Sequence, residues 1–238
     1  MRISRDDMSE ARRLYERAVE LDRGYARAIA GLAATHAASY ALLFTLDDTE
    51  LDHAAALLAR ALELDPGLAE ALAGRGMLDL LRGNAEQARV WLERARELAP
   101  NDALTHVLLG NAYLVTGDPG AALESLQQGL RLNPRLSSSL QSIMLLTSIR
   151  WRTGRMEEAE GLWEQARAEY PDAILVRLAL AARSEETGRH EQARSVLEEA
   201  LRVNPKLSVE GLRHHHAFEA STPDPDTFLA QLHAAGLP

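Results

Sequence analysis

The stretch Ala103-Leu-Thr-His-Val-Leu-Leu-Gly110-Asn-Ala-Tyr-Leu-Val-Thr-Gly117-Asp-Pro-Gly-Ala-Ala122-Leu-Glu-Ser-Leu126-Gln-Gln-Gly129-Leu-Arg-Leu-Asn-Pro134 decides the fold. Ala122, Leu126 and Gly129 stand at offsets of four and three, which places them on one stripe of a helix. The small residues at either end of that stripe let two backbones approach, and the large one between them fills the neighbouring gap. Gly117, five residues ahead of Ala122, suits a turn in the left-handed region. Pro134 ends the second helix, because it donates no backbone hydrogen bond and disfavours helix in the residue before it.

Outward from this stretch the pattern recurs. Pro66, Pro100, Pro134, Pro171 and Pro205 are separated by 34, 34, 37 and 34 residues. A period of this length marks a solenoid of helical hairpins. The same small-large-small stripe precedes each proline: Ala54, Leu58 and Ala61; Ala88, Leu92 and Ala95; Ala159, Trp163 and Ala166; Ala193, Leu197 and Ala200. Gly83, Gly154 and Gly188 repeat the turn of Gly117. Composition agrees with an all-α chain, since Ala, Leu, Arg and Glu dominate while Phe, Ile and Thr are scarce.

The spacing of Leu109, Gly110, Tyr113, Gly117, Ala122, Leu126, Gly129 and Pro134 resembles the tetratricopeptide repeat. The resemblance implies an all-α, right-handed superhelical solenoid of antiparallel helix pairs. On that reading residues 1–24 form an N-terminal half repeat, 25–66 a first repeat with an insertion at 37–48, and 67–100, 101–134, 135–171 and 172–205 four more. Residues 206–238 form a C-terminal cap. The half repeat carries Ala11, Tyr15 and Ala18 on the second-helix stripe, with Ser4 and Asp7 spaced as a capping box. Its partner first helix is missing, which fits a piece excised from a longer protein. Residues 24–35 and the tail from Leu207, through Phe218 and Pro223, resemble repeat regions attached to bacterial nucleotide cyclases and winged-helix regulators.

Three departures carry expectations. Arg75 and Asp79 replace the usual Leu and aromatic, and at i and i+4 they can pair. The insertion brings Tyr40, Leu42, Leu43 and Phe44, which either form an exposed docking patch or, as the preferred reading, fold over the lone N-terminal helix. Residues 214–216 are three successive histidines; neighbours in a helix point about 100° apart, so they do not converge on one ion, and no metal is expected.

Composition narrows the function. Twenty-six basic against 35 acidic residues give a net charge of −9, and no basic stripe offsets it, so nucleic acid is an unsuitable partner. No basic start leads into an apolar stretch, so no signal peptide is expected; no run of apolar residues is long enough for a membrane span, and there is no cysteine. A cytoplasmic setting is expected, and arginine in place of all lysines but Lys206 suggests a GC-rich bacterial genome. Glycines stand singly and no catalytic arrangement stands out, so neither enzyme nor cofactor is expected.

The resemblance implies instead a scaffold that receives a peptide or partner protein in its concave groove. The groove positions it implies include Met77 and Leu80 in the second repeat, Leu104, Val107, Asn111 and Leu114 in the third, and Met144, Ser148 and Trp151 in the fourth, with Gln141 and Leu175 in the same register. The alternative is self-association through the N-terminal half repeat. Because the stripe depends on small residues, Ala122→Leu should overpack its hairpin by about 1–3 kcal/mol, seen as a lower melting temperature in circular dichroism.

Overall fold

A computed structural model describes residues 4–215, 222 and 224–238. Among them every regular element is helical. In chain order these are α1 (Arg5–Leu21), α2 (Ala26–Ala41), α3 (Thr49–Leu64), α4 (Ala69–Leu81), α5 (Ala85–Leu98), α6 (Ala103–Val115) and α7 (Pro119–Leu132). A 3₁₀ turn (Pro134–Ser138) leads to α8 (Leu140–Arg152), α9 (Met156–Glu169), α10 (Ile174–Glu186), α11 (His190–Val203), the short α12 (Val209–Arg213) and α13 (Pro225–Ala234). Consecutive helices pack as antiparallel pairs, and the even-numbered ones from α2 to α8 also touch one another in series, forming the inner layer of a solenoid.

The stripes make the pairing possible. Ala54, Leu58 and Ala61 on α3, Ala88, Leu92 and Ala95 on α5, and Ala193, Leu197 and Ala200 on α11 are all buried, as are Ala159, Trp163 and Ala166 on α9. At Gly129 the approach is closest, for a Cβ there would stand 2.8 Å from the Ala103 carbonyl oxygen. Gly83, Gly117, Gly154 and Gly188 take φ of +77°, +90°, +75° and +75°, the conformation the hairpin turn requires. Several starts are capped by side chains: Asp102 accepts from Thr105, Asp118 from Ala121, and Ser4 with Asp7 completes the reciprocal capping box.

Ion networks tie the outer pairs together. Arg177, buried in α10, donates to Glu199 of α11 and to the carbonyls of Tyr170 and Ala173. Hydrogen bonds from Arg167 hold the Glu199 carboxyl below the ordinary carboxylate range. At the other end Glu50 of α3 accepts from Arg12 of α1 and His36 of α2, each at 2.8 Å. Burial acts to raise the Glu50 pKa, but these two hydrogen bonds outweigh it and the net shift is downward. Burial lowers the His36 pKa, and since a carboxylate only accepts, Nδ1 is the donor in this pair.

Two sequence expectations are corrected. Arg75 and Asp79 form no ion pair: the Arg75 guanidinium lies over the Trp91 ring of α5, 5.7 Å from its centroid, while Asp79 is buried with Oδ2 unbonded among the described residues. A partner helix offers Arg75 an aromatic face that its own helix does not. The insertion, too, lies elsewhere than over α1. Its first residues, 37–41, complete α2, and Leu43 and Phe44 are buried in the core formed by α9, α10, α11 and the C-terminal segment.

That docking closes the solenoid on itself. Leu43 adopts φ +58°, rare for a leucine, and its carbonyl accepts a 2.8 Å hydrogen bond from the Asn204 amide. Tyr40 stacks on His215 with centroids 3.8 Å apart, and Leu46 fits against Gly211, where a Cβ would meet its methyl at 2.8 Å. Only the N-terminal end of α1 joins in, Arg5 donating to the Phe44 carbonyl at 2.6 Å and its amide to Asp172 at 3.3 Å. Curvature brings the two ends within reach, and Leu43 and Phe44 bury there in one core with residues of α9, α10 and α11. Since Asn204→Ala strands the buried Leu43 carbonyl, it should cost about 2 kcal/mol, roughly 4–8 °C in Tm by calorimetry.

Candidate functional site

The inner layer surrounds a central chamber of about 400 Å³. Residues of α2, α4, α6 and α8 and the start of α10 line it, and Met8 and Tyr15 of α1 with Leu42 of the insertion narrow it. Gly31 on α2 is what admits Tyr15: a Cβ there would lie 2.3 Å from the tyrosine ring. The lining is mainly aliphatic; among the described residues its polar groups are those of Tyr15, Thr35, Asn111, Gln141 and Ser148, and its charged side chain is that of Arg152. Thr35 is committed to the Leu32 carbonyl at 2.7 Å. The Asn111 amide donates weakly, at 3.3 Å, to Val107 and keeps its carbonyl oxygen to accept. Burial pulls the Arg152 pKa below the ordinary arginine value.

Of the groove residues expected from sequence, Met77, Leu80, Asn111, Leu114, Met144 and Ser148 meet on this chamber. Three do not. Val107 is fully buried among Leu126, Leu145 and Ile149, and it is Leu108 and Asn111 of α6 that line the chamber. Leu104, one turn earlier, is 39 % exposed and lies off the chamber. Trp151 sits edge-on to Trp163 at 5.7 Å and at the same distance from Phe228 of α13, so the C-terminal helix covers the face that an open groove would present. Met8, Tyr15 and Leu42 escaped the sequence reading of the chamber, since they reach it through closure of the chain rather than through the repeat register, and Arg152 takes on α8 the place expected of its neighbour Trp151.

The histidines diverge. His214 pairs with Glu210 at 2.9 Å, His215 is buried against Tyr40, and His216, like Phe218 and Pro223, lies outside the described residues. Among the described residues no group of three or more His, Asp or Glu side chains is placed to hold a metal ion. No described helix is long and apolar enough to cross a membrane.

Residues 103–136 and 150–213 match family models of the tetratricopeptide repeat, and neither match points to a catalytic family. The chain is 29 % identical over 165 residues to cellulose synthase operon protein C of Xanthomonas axonopodis pv. citri (strain 306), covering 52 % of this chain and 11 % of that protein. It is 33 % identical over 153 residues to Superkiller complex protein 3 of Mus musculus, covering 64 % and 9 %. It thus spans about a tenth of the length of these curated relatives. Among solved structures, it is similar to a chain of the APC/C hetero-tetramer Cut9–Hcn1, with a TM-score of 0.64, 20 % identity and coverage of 91 % of this chain and 40 % of that one. It is also similar to TTC0263, a thermophilic tetratricopeptide protein in Thermus thermophilus, with a TM-score of 0.56, 26 % identity and coverage of 72 % and 91 %. The chain carries tetratricopeptide repeats, and its fold is a tetratricopeptide solenoid.

Trp151 belongs to the packing under α13, so Trp151→Ala should lower stability by about 3 kcal/mol in chemical denaturation. Any effect on ligand affinity should be secondary to that loss.

Proposed function

We propose that this chain is a non-enzymatic interaction module that receives an apolar segment of a partner polypeptide at the mouth of its central chamber. Tetratricopeptide proteins generally mediate protein–protein contacts, and the chamber gives this one a surface of the appropriate chemistry. The observation that carries the reading is the convergence of Met77, Leu80, Asn111, Leu114 and Met144 from three successive inner helices on one cavity. Flexible methionines adapt to a partner's side chains, and the Asn111 amide suits a backbone group because it donates and accepts at once. The resemblance of residues 24–35 and of the tail to repeat regions of bacterial regulators supports a docking role inside a larger signalling system.

A second reading, self-association, has one observation in its favour. No residue of α1 is buried, and Leu14 and Leu21 are 54 % and 72 % exposed. An open helix of this kind accepts a second copy as readily as a foreign partner.

The chain should capture a partner from a lysate of its own host, and the purified pair defines the test. Met144→Glu places a charge in the apolar chamber and should weaken that pair at least about tenfold, while Asn111→Ala should cost about 1–2 kcal/mol. Circular dichroism should show both variants folded. Unchanged affinity in both moves the recognition surface elsewhere, and a dimer in light scattering that Leu14→Glu dissolves would favour self-association.

A further inference from the structure

We infer that α1 is a dimerisation helix, which pairs with α1 of a second copy, antiparallel and about a two-fold axis, along the seam Ala11, Leu14, Ala18 and Leu21. This rests on the self-association reading above and gives it an occupant and a register.

Two sides of α1 differ. On one, Arg12 reaches the Thr35 carbonyl and Ser39 of α2, Tyr15 lies over Gly31, and Val19 packs against the core that α2 and α3 share. The seam lies roughly 110° around the helix from these residues. On α3 the equivalent positions are Ala54, Leu57, Ala61 and Leu64, and α2 packs against that helix: both alanines are fully buried and Leu57 joins the core. On α1 the two alanines are only half-buried, while Leu14 and Leu21 stand open to solvent. Every later stripe, on α3, α5, α7, α9 and α11, is buried by the first helix of its own pair. Among the described residues, α1 alone carries such a stripe without a helix over it.

The missing cover is therefore a helix, and α1 of a second copy fits the place. The described first helices of the chain are already paired, so α1 is the helix a second copy has to offer. Its seam residues follow one another at offsets of three, four and three, the spacing of a heptad interface. Laid antiparallel on its own image, the seam is self-complementary: Ala11 meets Leu21 of the second copy, Leu14 meets Ala18, and the two-fold axis repeats both layers. Each layer thus sets a large side chain against a small one, the rule the internal pairs also obey. Charge agrees with this register. Glu10 and Arg17 flank the seam on one side, and antiparallel pairing brings Glu10 of each copy to Arg17 of the other. Within the chain these two hold only exposed partners, Glu10 with Arg13 and Arg17 with Glu20, and such pairs exchange at little cost.

Sedimentation of the full chain tests this. It should report a reversible dimer with a Kd on the order of 10 μM, since one helix pair lies at the small end of interface sizes. Leu14→Glu enters the seam twice and should weaken the dimer at least about a hundredfold. Glu10→Arg and Arg17→Glu each bring like charges together twice and should weaken it about tenfold, yet an equimolar mixture of these two variants should associate as the unaltered chain does, because both cross-pairs are then Arg with Glu. All three positions are exposed, and circular dichroism should show the variants folded. A chain still monomeric at about 200 μM, a dimer that survives Leu14→Glu, or a mixture that associates no better than its components would overturn the proposal. If the mixture fails while Leu14→Glu still dissolves the dimer, the register falls and self-association through α1 stands. If no dimer forms, or Leu14→Glu leaves it intact, both fall.

Discussion

Everything in this molecule depends on how closely the two helices of each pair approach. The Cβ that Gly129 lacks would stand 2.8 Å from a backbone oxygen of the facing helix, and alanine occupies the corresponding positions of the other pairs. Wherever a stripe of this kind recurs, the pair it makes has the same shape as its neighbours, and identical shapes stacked in series generate a solenoid. The large residue between the small ones differs without harm, leucine in four pairs and tryptophan in α9, because it points into a gap that the next helix can adjust to fill. Small residues at the contact are the stricter requirement.

Stacking alone leaves two open ends, and the chain deals with them differently. At the C-terminus α13 lies on α10 and buries Phe228, Leu229 and Leu232. At the N-terminus the twelve-residue insertion reaches across to the last pair. Burying Leu43 and Phe44 there is worth about 1.5–3 kcal/mol for each side chain, which comfortably exceeds the cost of about 1–2 kcal/mol for holding a leucine at positive φ. The carbonyl at the bend is bonded by Asn204, so the bend buries no unmet acceptor.

Closure changes what the concave face can do. An open solenoid presents a long groove to an extended peptide; this one narrows its concave face to a half-open aliphatic cavity, some of whose polar groups are used by its own helices. In a chain of net charge −9 many carboxylates pair with arginines along and between helices, as Glu20 does with Arg17, Glu97 with Arg94 and Glu199 with Arg167.

The period, the stripes and the positive-φ glycines were legible in the sequence because each is set by contacts within one helical pair, a few tens of residues apart. So were Met77, Leu80, Asn111, Leu114, Met144 and Ser148 as inward-facing residues, since the repeat register says which side of an inner helix is concave. Val107, Leu104 and Trp151 share that register and yet lie elsewhere: Leu108 lines the cavity while Val107 packs against the next pair, and α13 covers Trp151. Arg75 likewise left its expected partner for an aromatic ring on the next helix. The insertion was beyond the reach of the sequence, for the hydrogen bond that fixes it joins residues 161 positions apart. Local periodicity determines a pair of helices, whereas the accumulated curvature of every pair determines where two distant ends meet, and that sum exists only in the folded chain.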